Sequence, residues 1–186
     1  MNLQELLPLI DNAIDDCARI IQNNPQAVLS EGDFERLLSD CISKGIGYNA
    51  ADPDPNRFSV HTQISHYKDE DREVDARVDI LLVKPKDIIP HMSHNKKFVI
   101  YTSAESVALE LKYIKGNKQG LSEVKKDINK ISIYDKDSYY YSIVLLDSSK
   151  RVNTRVRNIL FYFNAKINEN KVKHVNSFFC KVIVKE

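Results

Sequence analysis

Two apolar runs of strand type carry charges inside them, and this limits what the chain can fold into. Residues 77–83 read Arg-Val-Asp-Ile-Leu-Leu-Val, and residues 107–112 read Val-Ala-Leu-Glu-Leu-Lys. A charged group in a sheet core is costly unless it is paired or holds a metal, so each of these charges needs a reason. Strand side chains alternate faces with a period of two, so Glu110 and Lys112 share one side while Leu109, Leu111 and Tyr113 share the other.

If the two runs are neighbours, Asp79 stands beside Glu110 and Lys112, giving two hard oxygen donors and one cation. A Mg²⁺-dependent phosphodiesterase needs that set. Glu-x-Lys occurs three times, at Glu110/Lys112, Glu123/Lys125 and Glu169/Lys171. The second falls in a polar helical pattern and the third in a polar turn, where solvated surface charge explains both. Only the first lies in an apolar strand preceded by an Asp-bearing one. The competing reading of that pair is an edge strand with one wet face.

The length of 186 residues suits one domain with a proper core, so residues 1–186 are taken as a single unit. No apolar run approaches the ~20 residues of a membrane span, and the start of the chain lacks the pattern of a signal peptide. Cys17, Cys41 and Cys180 are unclustered and sit in apolar patterns, which predicts buried free thiols in a reducing cytoplasm. Charge is uneven. Residues 1–83 hold 7 Lys/Arg against 16 Asp/Glu, and residues 84–186 hold 20 against 10. A basic surface for a polyanion and mutual neutralisation of the two halves explain this equally well.

Helical spacing runs from Leu3 to Ile21 and stops at Asn23-Asn24-Pro25. Ser30 can cap a second helix, with Phe34, Leu37, Leu38, Cys41 and Ile42 as its apolar stripe and Gly45 and Gly47 as its stop. Residues 48–56 form a loop, and Phe58 to Ile64 alternate as a half-buried strand. Residues 84–97 read as an insertion. Residues 98–102 begin a strand that either resumes at Val107 or turns back as a hairpin. A helix opens near Gly116–Gly120, and residues 139–146 suit a central strand. Ser148 and Ser149 can cap a last helix whose inward residues are Val152, Val156, Ile159, Leu160 and Phe163. Residues 178–184 close the chain as a strand. The expected fold is α/β, a mixed sheet with helices against it.

This order and these residues resemble the PD-(D/E)XK nuclease superfamily, whose restriction-endonuclease-like core runs helix, three strands, helix, strand. The resemblance covers roughly residues 28–147. It leaves an extra N-terminal helix and a C-terminal helix and strand outside the core. Asp79 takes the first acidic position, Glu110 the second and Lys112 the lysine. Val78 stands where such proteins often have Pro, and Glu110 follows Asp79 by 31 positions, with the 84–97 insertion between them. Many members carry a further Glu on the preceding helix, in a context like Gly32-Asp33-Phe34-Glu35. On a wheel of ~100° per residue, Glu35 borders the apolar stripe, and Glu31 one turn earlier competes with it. An ordinary first-turn Glu favouring the helix dipole is the plain alternative.

The resemblance implies a metal-dependent nuclease acting on nucleic acid, with DNA the leading candidate. It implies catalytic roles for Glu35, Asp79, Glu110 and Lys112. A Mg²⁺ ion, with Mn²⁺ able to replace it, would be held by Asp79, Glu110, the Leu111 carbonyl and Glu35. Lys115, Lys118 and Gln119, beside the site in the chain, and Arg151 and Arg155 on the last helix would contact the substrate backbone. A solvated helix end explains the two arginines equally well. No membrane partner is expected, and a homodimer would suit cleavage of both strands. A non-catalytic nucleic-acid-binding or protein-interaction module on the same fold is the alternative, and an α/β domain with no nucleic-acid role is a third reading. His91 and His94 lack the framework of a zinc site, and no glycine-rich phosphate loop or nucleophile elbow occurs.

Overall fold

The apolar stripes predicted at the N-terminus close over one face of a mixed sheet. The structure is a computed structural model, and it describes residues 1–66, 76–92, 98–102, 105–115, 120–131, 138–147, 152–169 and 178–185. Helix α1 spans Leu3–Asn23, and its buried stripe is Leu3, Leu6, Ile10, Ala13, Ile14, Cys17 and Ile21. A capping box starts it. The Asn2 side chain accepts the Glu5 N–H at 3.0 Å, and the Glu5 carboxylate accepts the Asn2 N–H at 2.8 Å. Helix α2 spans Glu31–Ile46. The Ser30 hydroxyl accepts the Asp33 N–H at 3.1 Å, and the Asp33 carboxylate accepts the Leu29 N–H, also at 3.1 Å. This cap fixes Glu31 as the first residue of the helix. Gly47 ends α2 at φ 65°, a left-handed stop that glycine reaches without steric cost. Gly45, expected to help stop the helix, lies inside it.

The strands are β1 (Ser59–His66), β2 (Ala76–Val83), β3 (Ile88–Met92), β4 (Phe98–Thr102), β5 (Ser106–Ile114), β6 (Ser138–Asp147) and β7 (Phe178–Lys185). Helix α3 (Gly120–Ile131) joins β5 to β6, and α4 (Val152–Glu169) lies between β6 and β7. The sheet order is β3-β4-β1-β2-β5-β6-β7. Strand β2 lies between β1 and β5 and is antiparallel to both, while β5, β6 and β7 run parallel. Parallel neighbours need a long connection, and α3 and α4 supply the two required here. Among the described residues the hairpin β3–β4 joins the five-stranded body through a parallel pairing of His66 with Ile100.

Helices α1 and α2 bury Phe34, Leu38 and Ile42 against Ile80, Leu82, Leu109, Leu111, Tyr141 and Ile143. Helices α3 and α4 bury Val124, Ile128, Ile159 and Phe163 against Ile114, Val144 and Leu146 on the other face. The core is a sheet between two helical layers, as the period-two patterns of β5 and β6 imply. Among the described residues no helix is long and apolar enough to cross a membrane.

Four expectations need correction. The stretch 84–97 is more than an insertion, since it carries β3, and residues 98–102 neither resume at Val107 nor form a hairpin with the strand that begins there. Strand β4 pairs back on β3, so β4 and β5 lie on opposite sides of the β1–β2 pair. Pro90 is tolerated because β3 is the sheet edge, where a missing N–H costs no ladder bond. Leu160, assigned inward, is 36% exposed on α4. Of the three thiols only Cys17 is fully buried. Ser148 and Ser149 lie outside the described residues.

Candidate functional site

The sheet forks where its two charged strands should meet. The β2–β5 ladder pairs Leu82 with Val107, Leu81 with Ala108 and Ile80 with Leu109, and there it ends. The next pair would have been Asp79 with Glu110. Strand β2 continues to Ala76 against β1, and β5 continues to Ile114 against β6. Beyond the fork, one edge of β5 therefore loses its backbone partner, and unpaired buried N–H groups are costly.

Two carboxylates replace the missing strand. Asp79 Oδ2 accepts the Leu111 N–H at 2.7 Å, and Glu31 Oε2 accepts the Tyr113 N–H at 3.1 Å. A strand residue sends its N–H and C=O to the same side, so the Leu111 carbonyl also faces the fork. Lys112 Nζ donates to Glu31 Oε1 at 3.2 Å and lies 3.6 Å from Asp127 Oδ2 on α3. Glu35, one turn beyond Glu31 on the same helical stripe, accepts from the Gln63 side-chain amide. That amide nitrogen also reaches Asp79 Oδ1 at 3.3 Å. Glu31, Glu35, Gln63, Asp79, Lys112 and Asp127 thus converge from five elements.

Electrostatics follow from this crowding. Burial raises the Glu35 pKa, the Gln63 hydrogen bond opposes that, and the negative charge of Asp79 adds to it. Burial pulls Lys112 downward, but Asp127, Glu31 and Asp79 outweigh it and hold the ammonium above its usual range. Glu110 is 5% exposed and sits opposite Ser142 of β6. By alternation it shares the Lys112 side of β5. Glu31, Glu35, Asp79, Glu110 and Asp127 outnumber Lys112 and the Arg77 guanidinium whose charge also reaches Glu35, so the site favours cations.

Of the substrate-binding residues expected from sequence, Lys115 is exposed, with its ammonium 5.3 Å from the centre of the Tyr113 ring. Arg155 lies on α4, which packs on β7 and α3, and the structure does not bring it to the fork. Lys118, Gln119 and Arg151 lie outside the described residues. Two members of the cluster, Gln63 and Asp127, were not singled out from sequence. Asp127 borders the Val124/Ile128 stripe of α3 at helical spacing, the same signal that pointed to Glu35. Glu31, treated as a competitor of Glu35, joins it.

A hard divalent cation suits this donor set. Among the described residues no group of three or more His, Cys, Asp or Glu side chains forms a metal cage. Mg²⁺ asks for less, since it is commonly held by one or two carboxylates with water and substrate phosphate completing its shell. Asp79 and Glu35, which share one amide donor, and the Leu111 carbonyl meet that requirement. Comparison with protein-family models, curated proteins and solved structures returned no match for this chain.

The raised Glu35 pKa gives a first prediction. A carboxyl whose folded pKa exceeds its unfolded value binds more protons in the native state, so stability falls as pH rises between the two values. Without metal, Glu35→Gln should match the wild type near pH 4. Above the raised pKa it should melt higher by about 2 °C. Thermal unfolding in chelator across pH 4–7 checks this, and a lower melting temperature for the variant throughout would make Glu35 a structural partner.

Proposed function

We propose that this chain is a metal-dependent nuclease of the PD-(D/E)XK kind, hydrolysing phosphodiester bonds in nucleic acid, with DNA the favoured substrate. The observation that carries the reading is the fork at Ile80 and Leu109. It gathers carboxylates and a protonated lysine around an open strand edge. The order α2, β1, β2, β5, α3, β6 supports it. An antiparallel trio of strands is followed by a helix and a strand parallel to the third, the core order expected of that superfamily.

In this reading Asp79, Glu35, the Leu111 carbonyl and Glu110 would hold Mg²⁺ or Mn²⁺, which when bound polarises the scissile phosphate and acidifies water. Lys112 stays protonated between Glu31 and Asp127. Its ammonium can orient the attacking water and offset charge developing on the phosphate oxygens. Asp127 and Glu31 aim that ammonium and do not themselves touch the substrate. Lys115 offers a backbone contact beside the site.

One observation favours a second reading. The Asp79 and Glu31 carboxylates already satisfy β5 N–H groups, so they could serve the fold alone and leave a binding module without catalysis. A cleavage panel separates the two. Duplex, single-stranded and branched DNA and RNA are incubated with Mg²⁺, Mn²⁺, Ca²⁺ or chelator. Cleavage is expected in Mg²⁺ and Mn²⁺, and binding without cleavage in Ca²⁺. Binding with no cleavage in any ion would establish the module, and neither binding nor cleavage would remove nucleic acid from the account.

A further inference from the structure

Gln63 departs from its strand at the one position where the site needs it. Strand β1 pairs with β2 from Ser59/Val83 to His66/Ala76, and Gln63 is the position missing from the register. Its place is between the Thr62/Ile80 and Ile64/Val78 pairs, opposite Asp79. Gln63 has φ 56°, and among the described residues no other non-glycine residue has positive φ. Glycine and asparagine enter that left-handed region readily, but a glutamine in the middle of a strand does so only where its surroundings hold it there.

The side chain shows what holds it. The amide nitrogen faces Glu35 of α2 and Asp79 Oδ1 of β2 together. An amide carries two N–H donors, enough for one carboxylate each, whereas its oxygen would be repelled by both. A neutral donor group therefore stands between two anionic oxygens brought from different elements, where a hard cation would bridge them. Gln63 is exposed, so its amide has solvent to turn into once its two bonds break.

We propose that Gln63 gates the cation site. Its carboxamide holds Glu35 and Asp79 together in the metal-free protein, and a divalent cation displaces it on binding. This rests on reading the fork as a cation site. The gate weakens cation binding, because entry breaks two hydrogen bonds to charged groups and must turn the amide away.

The test is calorimetric titration of MnCl₂ into the full chain and two variants. Gln63→Met keeps length and shape without donors. Gln63→Gly removes the side chain and lets the backbone take its left-handed turn freely, so a fold lost in one variant need not be lost in the other. Both should bind Mn²⁺ about tenfold more tightly than the wild type, less than two hydrogen bonds to charged groups would give in full, because the displaced amide regains bonds to water. Unchanged affinity in both would make Gln63 a bystander, and weaker affinity would make it a ligand through its oxygen. Either result overturns the gate. Wild-type cleavage is scored separately. Cleavage with no tightening in the variants leaves the nuclease reading standing without the gate. Tightening with no cleavage by any form leaves the gate without the nuclease. If no form binds Mn²⁺ at millimolar concentration, both fall.

Discussion

Lys112→Ala is expected to lower cleavage by at least about a hundredfold to a thousandfold, the usual consequence of removing a charge that acts on the transition state. Affinity for nucleic acid, measured in Ca²⁺, should change little, because one contact among many moves binding modestly. The fold should survive. Lys112 is 21% exposed and its two carboxylate partners are 43% and 21% exposed, so losing these pairs costs about 1 kcal/mol. Lys112→Arg should not restore the rate, since a planar fork does not fit a space shaped for an ammonium held between Glu31 and Asp127. Neutralising Lys115 should do the reverse. It should weaken binding at all sequences and flatten the salt dependence by up to about one unit of slope, with the turnover of bound substrate kept. Full cleavage by Lys112→Ala would take the lysine out of the chemistry and with it the main reason for reading the fork as an active site.

The faces of this site were legible in the sequence, but its opening was not. A period of two is local, so Glu110 and Lys112 could be put on one side of β5 and Leu109 and Leu111 on the other from the residues alone, and the buried cluster agrees. Where a ladder stops depends on two strands far apart in the chain. Nothing in residues 77–83 or 107–112 says that pairing ends at Ile80 and Leu109. The helix carboxylates were half legible. Wheel geometry placed Glu31 and Glu35 near the apolar stripe and set them against each other, but the fork is long enough along β5 to use both. One meets Lys112 and Tyr113, the other Gln63. Gln63 itself gave no signal, because an alternating strand predicts a polar outward residue there and carries no mark of a left-handed turn. The β3–β4 hairpin was obscured for a related reason. Pro90 argues against a strand unless that strand is known to be an edge, and edges are fixed by the whole sheet.

The pair Asp79→Asn and Asp79→Ala should separate the two things Asp79 does. Its Oδ2 accepts the Leu111 N–H at 2.7 Å, and its Oδ1 accepts from Gln63. Asparagine keeps one oxygen, which can still take the Leu111 N–H. Its amide nitrogen then faces the Gln63 amide, donor against donor, and the exposed Gln63 can turn away. Asp79→Asn should therefore melt within about 2 °C of the wild type in chelator, since the lost charge also relieves its repulsion with Glu35. Its Mn²⁺ affinity should fall by about a hundredfold, roughly 2.7 kcal/mol, because a hard cation loses an anionic oxygen, and cleavage should be lost with it. Alanine removes the acceptor as well and leaves the part-buried Leu111 N–H without it, at a cost of about 1–3 kcal/mol. Asp79→Ala should therefore lose cation binding and also melt lower by about 3–10 °C. A carboxylate serving only to finish the ladder predicts a different pattern, in which the asparagine variant is indistinguishable from the wild type in Mn²⁺ titration and in any cleavage assay, and only the alanine variant suffers. Calorimetry and melting curves on the two proteins decide between them: a loss of affinity in Asp79→Asn without a loss of stability is what a cation ligand gives and a backbone cap does not.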